Sequence, residues 1–584
     1  MATGNHKKTM RAEEVTAFGG LDASSPHGGG HIAYDMKNFK ILADGSLVKR
    51  DGFSILTTLS DNIRGLYVLH ETAGDFILAV AGARLYRISV ADGTYESAEV
   101  LTTVSGRACF FNYGGELYLL DGAEVYRYAG GLLLEECLGY IPLYGKDWVA
   151  IRSDNVVNEP INLLSRKIRY TCSHTSSFNM AYLGLKISSI DKVLHNGVVL
   201  DSSRYYLSDT RKSVSFTSSF SSSSKLELCV TLDDSYWHDA LLRSCTYVAQ
   251  YDSVSNPRVF LYGGEEGSTL YLSRPVDRES LSESLAMDES STSLYFPKDK
   301  AVSFDKRQTI TAMGRAGNRM MICTANETWI TGDLNELEAG EESKLTVGSL
   351  SQTVGCHSQG GMAVIEGDTP VTISAGGIYR WDIDLNMERG CTSKRISDGI
   401  AAHVGDGFFS GAKVCYMRAE DELWFFLPDD ADGRVFIYNC GNKLWYSYVG
   451  VHASHLLDMG GRVGFADGAD ICLFDSARTT DLCSFGEREI VGVFESRRMD
   501  FGDNEAKKRA VRLYVEADAA GGELTVGLHD GGLLDEVAFA GTGEGTVCYS
   551  SRVSTSRFRR LSVTLRATGA ERQRIYGYCI HIGI

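Results

Sequence analysis

Proline is nearly missing from this chain, with 8 residues in 584, where an average usage of about 5% would supply several times that number. Together with 62 glycines and 43% hydrophobic residues, 10% of the chain being aromatic, this excludes a collagen-like fibre and a mainly disordered polymer. No run approaches the roughly 18–20 consecutive apolar residues of a bilayer-spanning helix, so no membrane span is expected. The opening MATGNHKKTMRAEEV carries basic residues without an apolar stretch behind them, so no secretory leader is expected either. Basic excess is also lacking. Lys and Arg number 58 against 75 Asp and Glu, a net charge of -17 that repels phosphate backbones and argues against nucleic-acid binding as the main task. No CxxC occurs among the 14 cysteines, and the nearest pair, Cys472 and Cys483, stands eleven positions apart. Most cysteines lie in apolar runs, as Cys109 in RACFF, Cys229 in LELCV and Cys323 in MMICT. They read as buried free thiols of a protein made in a reducing cytosol, with no support for a zinc ribbon or thioredoxin-type site.

Helical periodicity is almost absent, and strand signals fill its place. Short β-branched and aromatic runs recur between Gly, Asp and Asn turns, among them FILAV (76–80), ELYLL (116–120), VFLYG (259–263), RMMIC (319–323), ELWFFLP (422–428) and RVFIYN (434–439). Asp432-Gly433 and Asn196-Gly197 supply hairpin turns. An aliphatic residue followed by an aromatic closes many hairpins: Leu85-Tyr86, Leu117-Tyr118, Val125-Tyr126, Leu270-Tyr271, Ile378-Tyr379 and Ile437-Tyr438. Repeated antiparallel strands with aromatic punctuation predict an all-β fold with an irregular β-propeller body. Two stretches break this pattern, and they predict an inserted β-sandwich over 142–245 and a C-terminal β-sandwich over 485–584. Blades are then expected over 1–141 and 246–484.

Chemical motifs mostly fail. GxSxG, GxxxxGK[ST], HExxH and a helix-opening GxGxxG are all missing. His452 and His455 in HASH have a spacing a metal could use, yet no acidic or thiol partner stands nearby in sequence, and a surface or half-buried pair is the expectation. Asp382, Asp384 and Asn386 begin like a calcium loop, but Met387 and Ser393 replace the required Gly and Glu. No catalytic residue, cofactor or metal is expected, and the chain is read as a non-enzyme.

One segment, FGGLDASSPHGGGHIAYDMKNFKILADGSLVKRDGF (18–53), resembles the opening of tail nozzle proteins of short-tailed phages, also called tail tubular protein B or head-to-tail stabilisation proteins. The residues that carry the likeness are Phe18, Gly19, Gly20, Leu21, Asn38, Phe39, Gly45, Leu47, Arg50 and Gly52. Looser matches run over 257–332 and 376–450. The resemblance implies a propeller-like body with inserted β-domains, six copies of which form a ring in the virion tail. Through that ring double-stranded DNA passes without sequence-specific binding. It further implies docking to an adaptor or portal ring and to tail fibre or needle proteins. Arg50 stands ready to pair with an acidic group, and the segment reads either as a strand pair closing the propeller ring or as a contact to the adaptor ring.

Charge patterning adds candidate assembly contacts. Acidic residues gather over 265–289 and in DLNELEAGEE (333–342), which includes Glu336 and Glu338, while 552–574 is rich in arginine, including Arg557, Arg559 and Arg560. Opposite patches of this kind set register between ring neighbours, which need two unlike surfaces. Arg50, Arg557, Arg559, Arg560, Glu336 and Glu338 are therefore the expected inter-subunit or inter-ring contacts. The alternative function is a glycan- or receptor-binding propeller such as a tail adhesin, with Trp445 and Tyr446 as the stacking platform.

Overall fold

The computed structural model describes residues 10–137, 141–145, 162–172, 176–236, 240–253, 256–273, 294–297, 301–305, 308–337, 345–383, 391–405, 407–519, 521–541 and 545–583. Among them are 49 strands and only two α-helices, each a single turn. The fold is all-β.

Seven sheets make the body, each with four antiparallel blade strands. Six are four-stranded meanders, each built from consecutive strands, over 63–99, 109–136, 247–303, 310–351, 362–395 and 413–448. The seventh uses His455–Asp458, Val463–Asp467 and Asp470–Asp475 and takes its fourth strand, Gly52–Thr58, from the start of the chain. The first strand of each sheet touches the first strand of the next, and that of the seventh, His455–Asp458, touches Ile63–Glu71 of the first. A closed ring of seven blades follows, with first strands around the axis and an N-terminal strand fastening the last blade.

The aliphatic–aromatic pairs explain how the blades cohere. Neighbouring residues on a strand point to opposite faces, so each pair feeds two layers between blades. Leu85 joins the layer between the first two blades and Tyr86 the layer between the seventh and first. Tyr118 and Val125 fill the layer between the second and third, whereas Leu117 and Tyr126 turn the other way. Leu270 and Tyr271 divide likewise around the third blade. Large side chains are needed because twisted sheets diverge outward from the axis, and burying each contributes roughly 1.5–3 kcal/mol.

Between the second and third blades the chain leaves the ring to form two packed sheets. One pairs Ile141–Gly145, Lys167–Cys172, Leu226–Leu232, Ile187–His195 and Val198–Val199, and the other pairs Phe178–Tyr182, Ser213–Phe220 and Tyr205–Leu207. Leu226, Leu228, Val230, Phe216 and Phe220 form the core between them. Asn196 and Gly197 both take positive φ, 49° and 80°, giving the tight hairpin their sequence predicts. In the DDADG turn, by contrast, the left-handed residues are Asp429 and Gly433 rather than Asp432.

A second sandwich closes the chain, and it corrects the expected boundaries. Residues 10–49, expected among the blades, belong to this sandwich. Met10–Val15 and Leu47–Lys49 pair with the last strand, Arg574–Gly583, and Ala33–Lys37 pairs with Gly492–Ser496. The physical reason is the apolar alternation of Arg509–Asp518, Ser562–Gly569 and Arg574–Gly583, whose edges and inner face are completed by N-terminal strands. Thr480–Cys483 and Gly486–Glu489 form a hairpin on the seventh blade's sheet, beside the closing strand.

Thiol chemistry follows from this packing. Of the twelve cysteines whose side chains are described, all free, only Cys548 is exposed. Burial pushes Cys245, Cys356 and Cys415 up to about 12 and holds Tyr446, Tyr448 and Tyr262 far above the ordinary phenol range. These groups keep their protons in the folded state and lose them first in the unfolded chain. Stability is therefore expected to fall as pH rises from about 9 to 12, by about 1.4 kcal/mol per pH unit for each such group. Lys49, lowered by burial to about 8, acts oppositely between 8 and 10.5, but it is one group against several. Midpoint temperatures across this range check the sign. Native-state alkylation should label Cys548 first among the described thiols.

Candidate functional site

The segment that carries the family resemblance threads between the two bodies. Phe18 packs edge-on against Phe494 at 4.9 Å and beside Tyr578, inside the C-terminal sandwich. Gly20 has φ +78°, and a Cβ there would meet the Trp445 carbonyl oxygen at 3.0 Å. Only glycine combines that angle with so close an approach. The next residue, Leu21, donates its N–H to the same Trp445 carbonyl at 2.7 Å, on the outer strand of the sixth blade. Asp35 binds Arg434 of that blade at 2.8 Å, and burial works against its ionised form while Arg434, Lys37 and His403 together lower its pKa.

Asn38 sits at the crossing. Left-handed with φ 56°, it donates through Nδ2 to the Val491 carbonyl, while its Oδ1 accepts from the Val449 N–H and from Arg50 Nε at 2.9 Å. Arg50 then grips Asp481 with both terminal nitrogens, at 2.8 and 2.7 Å, and both side chains are only 1% exposed. Phe53, Tyr448 and Phe474 ring the guanidinium at 5.7–5.9 Å. The expected role of Arg50 as an inter-ring contact is thus corrected, because the side chain is sealed in the joint between the hairpin, the closing strand and the seventh blade. Gly52 starts that closing strand, and its Cα lies so near Thr480 that a Cβ would run into the Thr480 carbonyl.

Beside this joint lies a cleft of about 930 Å³ lined by Lys40, Arg50, Glu420, Glu422, Arg462, Asp518, Arg572 and Arg574, among others. Glu422 is buried, with Oε2 accepting from Trp424 Nε1 at 3.1 Å and Oε1 accepting from the Tyr446 hydroxyl and facing Lys40 Nζ at 3.3 Å. Its neighbour Glu420 has a buried oxygen without a partner, and burial followed by the Glu422 charge raises its pKa. A paired-carboxylate mechanism needs two carboxylates free to serve a substrate. Glu422 is instead saturated by protein donors and works as an anchor under the sixth blade.

The other expected contacts are scattered. Arg557 and Arg559 are exposed on the loop before Ser562–Gly569, and Arg560 is half-buried, binding Asn504 Oδ1 at 3.1–3.2 Å and touching His27. Arg572 and Arg574 pair with Asp51 and Asp44, so part of the basic stretch is used internally to tie the sandwich to the N-terminal hairpin. Glu336 is exposed on the fourth blade, and no ion pair joins it to these arginines within the chain. Glu338 lies outside the described residues, as do most of the acidic stretches and the loop from Asp384 to Asn386. Trp445 and Tyr446 are 5% and 2% exposed, so they are blade core and offer no stacking platform. Sequence reasoning singled out Asn38 only as part of the family likeness, and it missed Asp481 and Glu422 as organising residues.

No family model matches the chain, and no curated protein matches it. Among solved structures the chain is similar to BBS1N in complex with ARL6DN, at 11% identity and a TM-score of 0.26, over 74% of this chain and 98% of that one. It is also similar to the extracellular domain of the putative one-component system BT4673 from B. thetaiotaomicron, at 9% identity and a TM-score of 0.25, over 90% and 80% of the two chains. Neither likeness bears on function, and the propeller architecture stands on the strand pairing itself.

Proposed function

We propose that this chain is a structural subunit of a phage virion tail, one of six copies in a nozzle ring that retains the genome and passes duplex DNA during ejection. The observation that carries this reading is the 18–53 segment. The residues by which it resembles tail nozzle proteins serve here to lock a propeller and a sandwich into one stiff body, as a part of a pressurised conduit requires. Assembly in the host cytoplasm, docking to an adaptor or portal ring and contact with fibre or needle proteins belong to the same reading. The aromatic pair of the adhesin alternative is buried, which leaves that reading without its platform.

Two unlike surfaces suit a head-to-tail ring. Phe485 is fully exposed at the tip of the Thr480–Glu489 hairpin, and Val198, Val199 and Tyr206 are 68%, 60% and 59% exposed on the inserted sandwich. Phe485→Asp is expected to shift the purified chain from a six-copy species to a monomer in native mass measurements. Charge reversal at Arg557 and Arg559 should weaken rings only at low salt, because exposed pairs contribute about 0–1 kcal/mol each. A wild-type chain that stays monomeric at every concentration would refute the ring. Assembled rings are further expected to bind duplex DNA weakly at about 0.15 M salt, where the screening length is about 8 Å.

A further inference from the structure

Three basic side chains stand around the propeller axis, none of them in an ion pair among the described residues. Lys413 is on the first strand of the sixth blade, His455 on the first strand of the seventh, and Arg107 lies two residues before the first strand of the second. Lys413 Nζ donates to the Ser454 carbonyl at 3.2 Å, and the Ser454 hydroxyl is 3.2 Å from His455 Nδ1, which places the two side by side. Arg107 stacks its guanidinium 4.7 Å above the ring of Tyr247, on the first strand of the third blade. Its charge is felt by both Lys413 and His455. The second and sixth blades are not neighbours in a ring of seven, so their side chains reach one another only across the axis.

Arg107 is the unusual member. It makes no hydrogen bond or ion pair among the described residues, and its Nε–H is buried without an acceptor. Such a donor normally finds a partner. Stacking on Tyr247 leaves the guanidinium nitrogens to present their N–H groups edge-on, the geometry that grips two oxygens of one anion. Asp429 is the carboxylate that acts on Lys413, but it forms no ion pair with it and lines the adjoining cleft with Asp430, His452, Ser454 and Asp467. Burial and the two neighbouring cations hold His455 far below its ordinary value, at about 3, so it is a neutral imidazole whose one N–H is directed to the Arg64 backbone carbonyl.

We propose that the axial cluster of Arg107 and Lys413, beside His455, binds a small oxyanion of the phosphate type. Arg107 offers the planar fork and Lys413 a point charge, with the neutral His455 beside them, so an anion with several acceptor oxygens fits better than a halide. The site is independent of ring assembly.

Inorganic phosphate is the probe, titrated into the full chain by calorimetry and thermal shift against chloride at matched ionic strength. Saturable binding with a rise in the melting midpoint is expected, weakened about tenfold or more by Arg107→Gln and by Lys413→Gln. Lys413→Arg, which keeps the charge, should retain binding and shows that the loss is not one of folding. Phosphate acting no differently from chloride would overturn the proposal. So would binding that persists undiminished in both Gln variants.

Discussion

Arg50→Ala is expected to lower stability by about 3–5 kcal/mol, among the largest effects of any single substitution outside the strand cores. The arginine and Asp481 are both nearly dehydrated, and removing the arginine takes both of its hydrogen bonds from a buried carboxylate, leaving only the more exposed Arg488 at 3.1 Å as counter-ion. Asn38 loses a donor in the same step, and through Asn38 the Val449 and Val491 contacts loosen. Trp424 reports on the event, since its ring lies 5.5 and 5.6 Å from Tyr448 and Phe474, two of the rings around the guanidinium. Denaturant unfolding followed by tryptophan fluorescence measures the loss. Replacing both partners, as Arg50→Met with Asp481→Leu, should recover most of it, because an apolar pair packs among aromatic rings without the desolvation cost. A loss below about 1 kcal/mol for the single variant would show that the pair is solvated and the joint loose.

Gly52→Val attacks the other half of the joint and should cost at least about 3 kcal/mol. Gly52 is at the register where the closing strand pairs with Asp475, with the Thr480 backbone on its other side. A valine there pushes the strand away from either neighbour, and the seventh blade loses its fourth strand. The ring then opens between its first and last blades, so proteases should cut near 50–60 in the variant and not in the wild type. Ser54→Ala, two positions along the same strand, is expected to change stability by no more than about 0.5 kcal/mol. Equal behaviour of the two variants would mean that the closing strand does not hold the ring.

Local order was legible in the chain, and long-range pairing was not. The hairpins and their aromatic pairs can be read because strand alternation and turn residues are local, and Leu85-Tyr86 or Leu270-Tyr271 states its two-layer role in adjacent letters. Blade number cannot be counted that way. The third blade's last two strands, Thr269–Leu272 and Val302–Ser303, are far apart in sequence, and the seventh blade borrows a strand from the beginning of the chain. Ala33–Lys37 reads as a strand but not as a partner of Gly492–Ser496, since edge pairing depends on which apolar face is left uncovered after folding. Arg50 reads as ready to pair with an acidic group, but which one is not legible, because its partner is 431 positions away. The axial cluster is hidden for a similar reason. His455 attracts notice only through its spacing from His452, whereas its actual companions, Lys413 and Arg107, come from other blades.

The proposed nozzle role places six copies of the chain in the virion tail. Imaging of intact virions by electron cryo-microscopy at a resolution that separates blades measures this most directly. Six seven-bladed propellers in a ring coaxial with the tail channel, next to the adaptor or portal ring and with DNA or open space on the axis, is the predicted result. Virions without the chain, or with isolated copies at the tail periphery, would contradict it.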